Sequence, residues 1–207
     1  MRPRILVDCD QVLCDFLGPF ARVVGSIWGR DIDLSQMREW NLYDAFEVPA
    51  PIKRAADEVL ESPGYARTLP MLPGVQRGVQ LLREIGDVYV VTAPWHSSRT
   101  WREDREWWLK HHLGFVRTQV VPIDDKFLVA GDCLIDDKTK TLRLWAAGHP
   151  TGLPIQWFHP SLANATIPSP FIRPDQMSKS HDECWDLAAA MIENHMSKTT
   201  DRRWHHG

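Results

Sequence analysis

Short apolar runs alternate along the chain with longer stretches of helical spacing. Ile5, Leu6 and Val7 form the first run, short and nearly all apolar, as a strand buried on both faces requires. Leu13, Phe16, Leu17, Phe20, Val23, Val24 and Ile27 then recur at three- and four-residue intervals, which predicts a helix over residues 13–28. Residues 29–73 break that rhythm. Gly29-Arg30-Asp31 opens a loop, and Ser35 is placed to cap a short helix reaching toward Phe46. Beyond Pro49 and Pro51, Ile52, Ala55, Ala56, Val59 and Leu60 trace an amphipathic face that ends at Ser62-Pro63-Gly64. With no buried strand in it, this stretch reads as a small helical insertion. Its aromatic residues Trp40, Tyr43, Phe46 and Tyr65 suit either the core of that lobe or a stacking surface.

A second series starts at Leu72-Pro73-Gly74. Val75, Val79, Leu82 and Ile85 line a helix that Gly86 stops as a C′ residue. Val88-Tyr89-Val90-Val91 is a strand ending in Thr92-Ala93-Pro94. Residues 98–113 form a helix closed by Gly114, with Trp101, Trp108, Leu109 and His112 on one side. Val120 to Ile123 and Cys133 to Ile135 are strands, the second ending in Asp136-Asp137. A helix through Leu142 and Trp145 stops near Gly148, and Ile155 to Phe158 is the last strand. A Pro- and Ser-rich surface loop over 159–178 precedes a final helix announced by the Ser180/Glu183 capping pattern. Strands alternating with helices define an α/β fold, a doubly wound parallel sheet. Its core spans residues 1–28 and 74–207, its helical cap is the 29–73 insertion, and residues 197–207 read as a mobile tail.

At 207 residues and 43% hydrophobic content, the chain can bury a substantial core. A net charge of −3 leaves no general footprint for nucleic acid or an anionic membrane. No apolar run has transmembrane length, and Met1 leads directly into a strand rather than a signal peptide. Cys9, Cys14, Cys133 and Cys184 form no CxxC pair and no disulfide scaffold, so the expected compartment is the reducing cytoplasm. The oligomeric state stays open, a homodimer included.

The chemistry concentrates at three strand ends: Asp8 and Asp10, Thr92, and Asp136 with Asp137. Read alone, Asp-x-Asp after a strand is equally well a turn, and Thr92 and Lys126 are ordinary strand and surface residues. In a parallel sheet, however, these ends share one edge and can converge. Lys126, ten residues before Asp136, lies in a polar connection that can bring its ammonium over that edge. Clustered carboxylates repel unless a cation or proton joins them, and Mg2+ prefers such oxygen ligands. Four carboxylates, a hydroxyl and a lysine suit phosphoryl transfer.

These motifs resemble the haloacid-dehalogenase-like hydrolase superfamily and, within it, the 5′(3′)-deoxyribonucleotidases. Asp8-Cys9-Asp10-Gln11-Val12-Leu13-Cys14-Asp15-Phe16 is similar to the family's DxDGVLxDF, and Val91-Thr92-Ala93-Pro94 to its Thr-Ser-Pro motif. Leu69-Pro70-Met71-Leu72-Pro73-Gly74 resembles the cap exit. Asp125-Lys126 with Gly131-Asp132-Cys133-Leu134-Ile135-Asp136-Asp137 resembles its DK…DLLIDD block, and Ser180 to Trp185 its closing helix. The resemblance implies a Mg2+-dependent phosphatase of deoxyribonucleoside monophosphates. In it Asp8 is the nucleophile and Asp10 the general acid and base. Thr92, Ala93 and Lys126 bind phosphate. Asp8, Asp10 (through its carbonyl) and Asp136 hold the metal, with Asp137 behind them. Phe16 and Trp40 flank the base. Three residues depart from the pattern: Gln11 replaces a Gly and can alter the turn or narrow the pocket, Ala93 replaces a Ser, and Trp95-His96 stand where other residues are usual. The alternatives are the same chemistry on another small phosphate ester and a non-catalytic binding module that kept the fold.

Overall fold

The computed structural model describes residues 2–162, 171–172 and 180–204. Six parallel strands, β1 (Arg4–Val7), β2 (Asp87–Thr92), β3 (Val120–Pro122), β4 (Cys133–Asp136), β5 (Leu153–Trp157) and β6 (Phe171–Ile172), form one sheet in the order β3-β2-β1-β4-β5-β6. Ile5, Leu6 and Val7 are fully buried because both faces of the central strand are covered. Ile5 and Val7 point to one layer, where Val75, Val79 and Leu82 of α4 (Val75–Ile85), Trp108 and Leu109 of α5 (Trp101–Leu113), and Trp185 and Ile192 of α7 (His181–Trp204) pack. Leu6, Val91 and Leu134 face the other layer, against Leu142 and Trp145 of α6 (Thr139–Gly148). Gly78 lets α4 and α7 approach: a Cβ there would lie 2.1 Å from the Trp185 ring.

The chain runs outward from β1 through β2 to β3, then returns to the other side of β1 with β4. That reversal opens a crevice at the carboxyl ends of β1 and β4, where doubly wound sheets bind ligands. Val7 pairs with Ile135, so Asp8 and Asp136 emerge level with one another across it.

Before this crevice, α1 (Leu17–Trp28) lays Leu17, Phe20, Ala21 and Val24 against Met37, Leu42, Tyr43, Ala56 and Leu60. These last belong to the connection that carries α2 (Leu42–Ala45) and α3 (Ala50–Leu60) and, among the described residues, contributes no strand to the sheet.

Several local expectations are corrected. The first helix starts at Leu17 rather than Leu13, because residues 9–14 are committed to a tight loop. Asp33, not Ser35, caps the short 3-10 turn Leu34–Gln36, and Asn41 caps α2 through the N–H groups of Tyr43 and Asp44. Gly86 stops α4 where expected, and does so in extended backbone (φ −153°). It is needed there because a Cβ would lie 2.3 Å from the Pro3 carbonyl. The last strand is β6, inside the expected 159–178 loop, most of the remainder of which lies outside the described residues. The final helix opens on the Ser180/Glu183 capping box, with both reciprocal bonds present. It runs past Ser197, where the sequence places the mobile tail, to Trp204; residues 205–207 lie outside the described residues.

Candidate active site

Asp8 leaves β1 with its N–H donating to the Ile135 carbonyl at 2.9 Å, which locks it to β4. The chain then closes a tight loop. The N–H groups of Leu13 and Cys14 converge on the Cys9 carbonyl (2.8 and 2.9 Å), and Gln11 N–H donates to the Cys14 carbonyl (2.8 Å). Gln11 is left-handed (φ 59°), the conformation a Gly would take without strain. Its side chain compensates: Oε1 accepts the N–H groups of Phe16 (2.9 Å) and Leu17 (3.0 Å) at the start of α1. The departure at Gln11 therefore keeps the turn and caps the helix, and the residue also lines the cavity. Gln11→Ala, which keeps the strain and loses both bonds, is expected to destabilise by about 1–2 kcal/mol in denaturant melts. Gln11→Gly should lose less, since it relieves the left-handed strain. An alanine variant as stable as the parent would dismiss the cap.

Four buried groups meet at the crevice. Lys126 Nζ lies 2.7 Å from Asp8 Oδ1 and 2.8 Å from Asp136 Oδ2, and Asp137 completes the group. Carboxylate oxygens of Asp8, Asp136 and Asp137 fall within 4.8 Å of one another. Burial pushes the Asp8 carboxyl up to about 7; Lys126 opposes the rise, and Asp136 and Asp10 reinforce it. Asp137 is held well above the usual carboxylate range by burial and then by Asp8 and Asp136. One ammonium does not balance three acids. The donor set, all hard oxygen and short of positive charge, fits a hard divalent cation.

Thr92 ends β2 fully buried, and its hydroxyl has no hydrogen-bond partner among the described residues. Ala93 and Pro94 follow it into the wall of a cavity of about 530 Å3 that also takes in Asp8, Asp10, Lys126 and Asp137. Asp136 lies fully buried beneath them, bonded to the Lys138 N–H at 2.8 Å. Asp10 pairs with Arg105 at 2.7 Å. Phe16 lines the cavity between Phe20 (5.2 Å between centroids) and Trp95 (5.7 Å).

Trp40 reaches the cavity from the α1–α3 side, 43% exposed. It is not a lone wall: its ring stacks on His159 (5.7 Å, 19°), and Lys138 Nζ sits 4.0 Å from its centroid. Burial holds the His159 imidazole down near 4, hence neutral at physiological pH. Lys53 and Asp57 on α3 and Glu61 at its C-cap recur every four residues and face the same cavity. Asp57 accepts the Tyr43 hydroxyl at 2.7 Å, and Glu61 accepts Trp95 Nε1 at 2.9 Å.

Arg105, His159, Lys138, Asp57 and Glu61 are the residues sequence reasoning misses. Only Arg105 left a signal, a charged residue at helical spacing between Trp101 and Trp108 on the apolar side of α5.

The fold is that of the haloacid-dehalogenase-like hydrolases. A HAD-superfamily hydrolase of subfamily IA from Geobacter sulfurreducens PCA matches with a TM-score of 0.53 at 15% identity, over 90% of this chain and 96% of its own. More narrowly, the family described as 5′ nucleotidase, deoxy (Pyrimidine), cytosolic type C protein matches residues 2–150, and the chain belongs to that family of nucleotidases, hydrolases of phosphate monoesters. A Staphylococcus aureus (strain Mu50) protein named "Putative 5′(3′)-deoxyribonucleotidase" is 30% identical over 156 residues, 75% of this chain and 82% of its own. A Bordetella pertussis (strain Tohama I) protein of the same name is 32% identical over 140 residues, 65% of this chain and 73% of its own.

Proposed function

We propose that the protein is a Mg2+-dependent phosphomonoesterase that dephosphorylates deoxyribonucleoside monophosphates through a phosphorylated Asp8. The observation that carries this reading is the Asp8–Lys126–Asp136–Asp137 cluster at the sheet's reversal point, opening into an aromatic-lined cavity. Asp8, Asp136 and the Asp10 carbonyl would hold the metal, with Asp137 supporting them. When bound, Mg2+ offsets the carboxylate charge and the charge on the phosphoryl oxygens.

The Asp8 carboxylate attacks phosphorus, and the bond from phosphorus to the ester oxygen breaks. Asp10 gives its proton to the departing oxygen, then takes one from the water that attacks the aspartyl-phosphate, releasing inorganic phosphate and restoring Asp8. Lys126, the unpartnered Thr92 hydroxyl and the Ala93 N–H hold the oxygens that stay on phosphorus. Phe16 and Trp40 offer ring faces to a base. Asp57 and Glu61 present acceptors to hydroxyl and amino groups of the leaving group, which favours an uncharged nucleoside over a second anion. No helix among the described residues is long and apolar enough to cross a membrane. With Cys9, Cys14 and Cys133 held in no disulfide, the reading places this activity in the reducing cytoplasm.

A phosphate-release screen over nucleoside monophosphates and sugar phosphates, with Mg2+ and with chelator, tests the proposal. Preferred, Mg2+-dependent release from deoxyribonucleotides is expected. Preference for sugar phosphates would move the substrate class, and no release from any ester would favour a binding module.

The charge deficit has its own signature. An unfolded Asp titrates at about 3.9, against about 7 for Asp8 in the fold. The native state therefore holds the extra proton between these values, and metal-free stability should fall as pH rises from about 4 to 7. Mg2+ competes with that proton. It should raise the melting temperature more at pH 7.5 than at pH 5, and a hundredfold excess over the Kd at pH 7.5 should add about 2.7 kcal/mol of stability there. Equal shifts at both pH values, or none, would count against the metal site.

A further inference from the structure

Arg105 is a buried cation that the proposed chemistry above does not use. It sits mid-way along α5, 1% exposed. Its Nη2 lies 2.7 Å from Asp10 Oδ1, and Nη1 lies 3.1 Å from Cys14 Sγ and 3.4 Å from Cys9 Sγ. The guanidinium carbon stands 5.5 Å from the Trp101 ring centroid. Its Nε is buried without a partner among the described residues. A buried guanidinium costs several kcal/mol unless it is paired, and this one leaves a donor unsatisfied to face Asp10. The neighbouring carboxylate on α5 is committed elsewhere: Asp104 accepts from Gly64 N–H, Arg67 Nε and the Thr100 hydroxyl. Asp10 is the carboxylate that the guanidinium pairs with.

Cys9 and Cys14 flank Asp10 in the loop, with their sulfurs 3.9 Å apart, and both accept from Nη1. The Cys14 thiol in turn donates to Asp10 Oδ1 at 3.2 Å. These contacts orient the fork so that Nη2 meets a single oxygen of Asp10. The same cradle answers a competing account: Cys9, Asp10 and Cys14 have the spacing of a metal site, but the guanidinium already bonds to all three.

We propose that Arg105 is a positioning residue for the proton-transferring carboxylate: by holding Asp10 Oδ1 it turns Oδ2 toward the ester oxygen. This rests on the phosphatase reading of the site. Arg105 touches no reacting atom and acts only through Asp10. The two thiols serve as the soft acceptors that aim it.

The test compares kcat/KM, which reports the first phosphoryl transfer, for an activated aryl phosphate and for esters with poor leaving groups, a deoxyribonucleotide and a simple alkyl phosphate. Arg105→Met should lose about 10–100-fold on the poor leaving groups and less than about threefold on the aryl ester, because a displaced acid matters only where the leaving oxygen needs its proton. Arg105→Lys, which keeps the charge without the fork, should fall between and guards against a misfolded methionine variant; melting curves accompany both. In an Asp10→Asn background, Arg105→Met should cost nothing further, as required of two groups acting in series. Equal losses on aryl and alkyl esters, or additive losses with Asp10→Asn, would overturn the proposal and leave Arg105 as a packing element. A parent enzyme that hydrolyses the aryl and alkyl esters but no nucleotide overturns only the substrate assignment. A parent inactive on every ester overturns the phosphatase reading and this inference with it.

Discussion

Asp8→Asn is expected to lower turnover by on the order of 10^4-fold or more, the scale on which removing a catalytic nucleophile acts. The amide has nearly the same shape and can still accept from Lys126, but it cannot attack phosphorus. The fold should not suffer. Ionised Asp8 is a cost to the native state near neutral pH, since burial and its acidic neighbours push its carboxyl up to about 7. The asparagine carries no such cost, so the metal-free variant should melt at or above the parent's temperature at pH 7.5. It should also lose part of the parent's decline in stability between about pH 4 and 7, because one titrating group is gone. Trapping the phosphorylated parent by borohydride reduction and peptide mass should place the modification on Asp8. A variant that still releases phosphate at the parent rate would remove Asp8 from its proposed role.

Much of this architecture is legible in the chain itself. Ile5-Leu6-Val7 announces the central strand because a strand covered on both faces has no polar side to show, and the same logic finds β2 and β4. Asp8, Asp10, Thr92 and Asp136 follow as strand ends, and in a parallel sheet all strand ends of one sense share an edge. What escapes the sequence depends on contacts made only after folding. β6 holds two residues, too few for any period. Gly86 has no room for a Cβ because the carbonyl of Pro3, just ahead of β1, lies against it, and no local rule foresees that. Gln11 reads as the loss of a Gly, since the N–H groups that its side chain satisfies belong to a helix start the sequence places elsewhere. Trp40 reads as a ring free to stack, while its neighbours His159 and Lys138 lie more than ninety residues away. Arg105 interrupts an apolar helix side, a visible anomaly, yet nothing local tells that its partner is Asp10.

Lys126→Met should expose how far the site depends on its one internal ammonium. The side chain enters from the 3-10 turn Lys126–Leu128 and is 6% exposed, with Asp8 and Asp136 on either side of Nζ. Burial alone would lower its pKa, but Asp136 and Asp8 more than offset that, and the group stays charged throughout the physiological range. Methionine fills similar volume with no charge. It leaves two buried carboxylates without their shared counter-ion, a loss of about 3–5 kcal/mol when one partner of a buried pair is removed. Phosphoryl transfer also loses a fixed positive charge, worth roughly 10^2–10^3-fold in rate. The pH dependence separates this account from lost packing. At pH 7.5 without metal the parent carries Asp8 largely ionised against Lys126, whereas the variant must bury that charge without its counter-ion or take up a proton at a cost, so the drop in melting temperature should be large. At pH 5 the Asp8 carboxyl, which rises further without Lys126, is protonated in the fold of parent and variant alike and that cost fades. The drop should therefore shrink as pH falls, whereas a packing defect would cost the same at both. A drop independent of pH, or a variant as stable and active as the parent at pH 7.5, would show that the ammonium does not balance these acids.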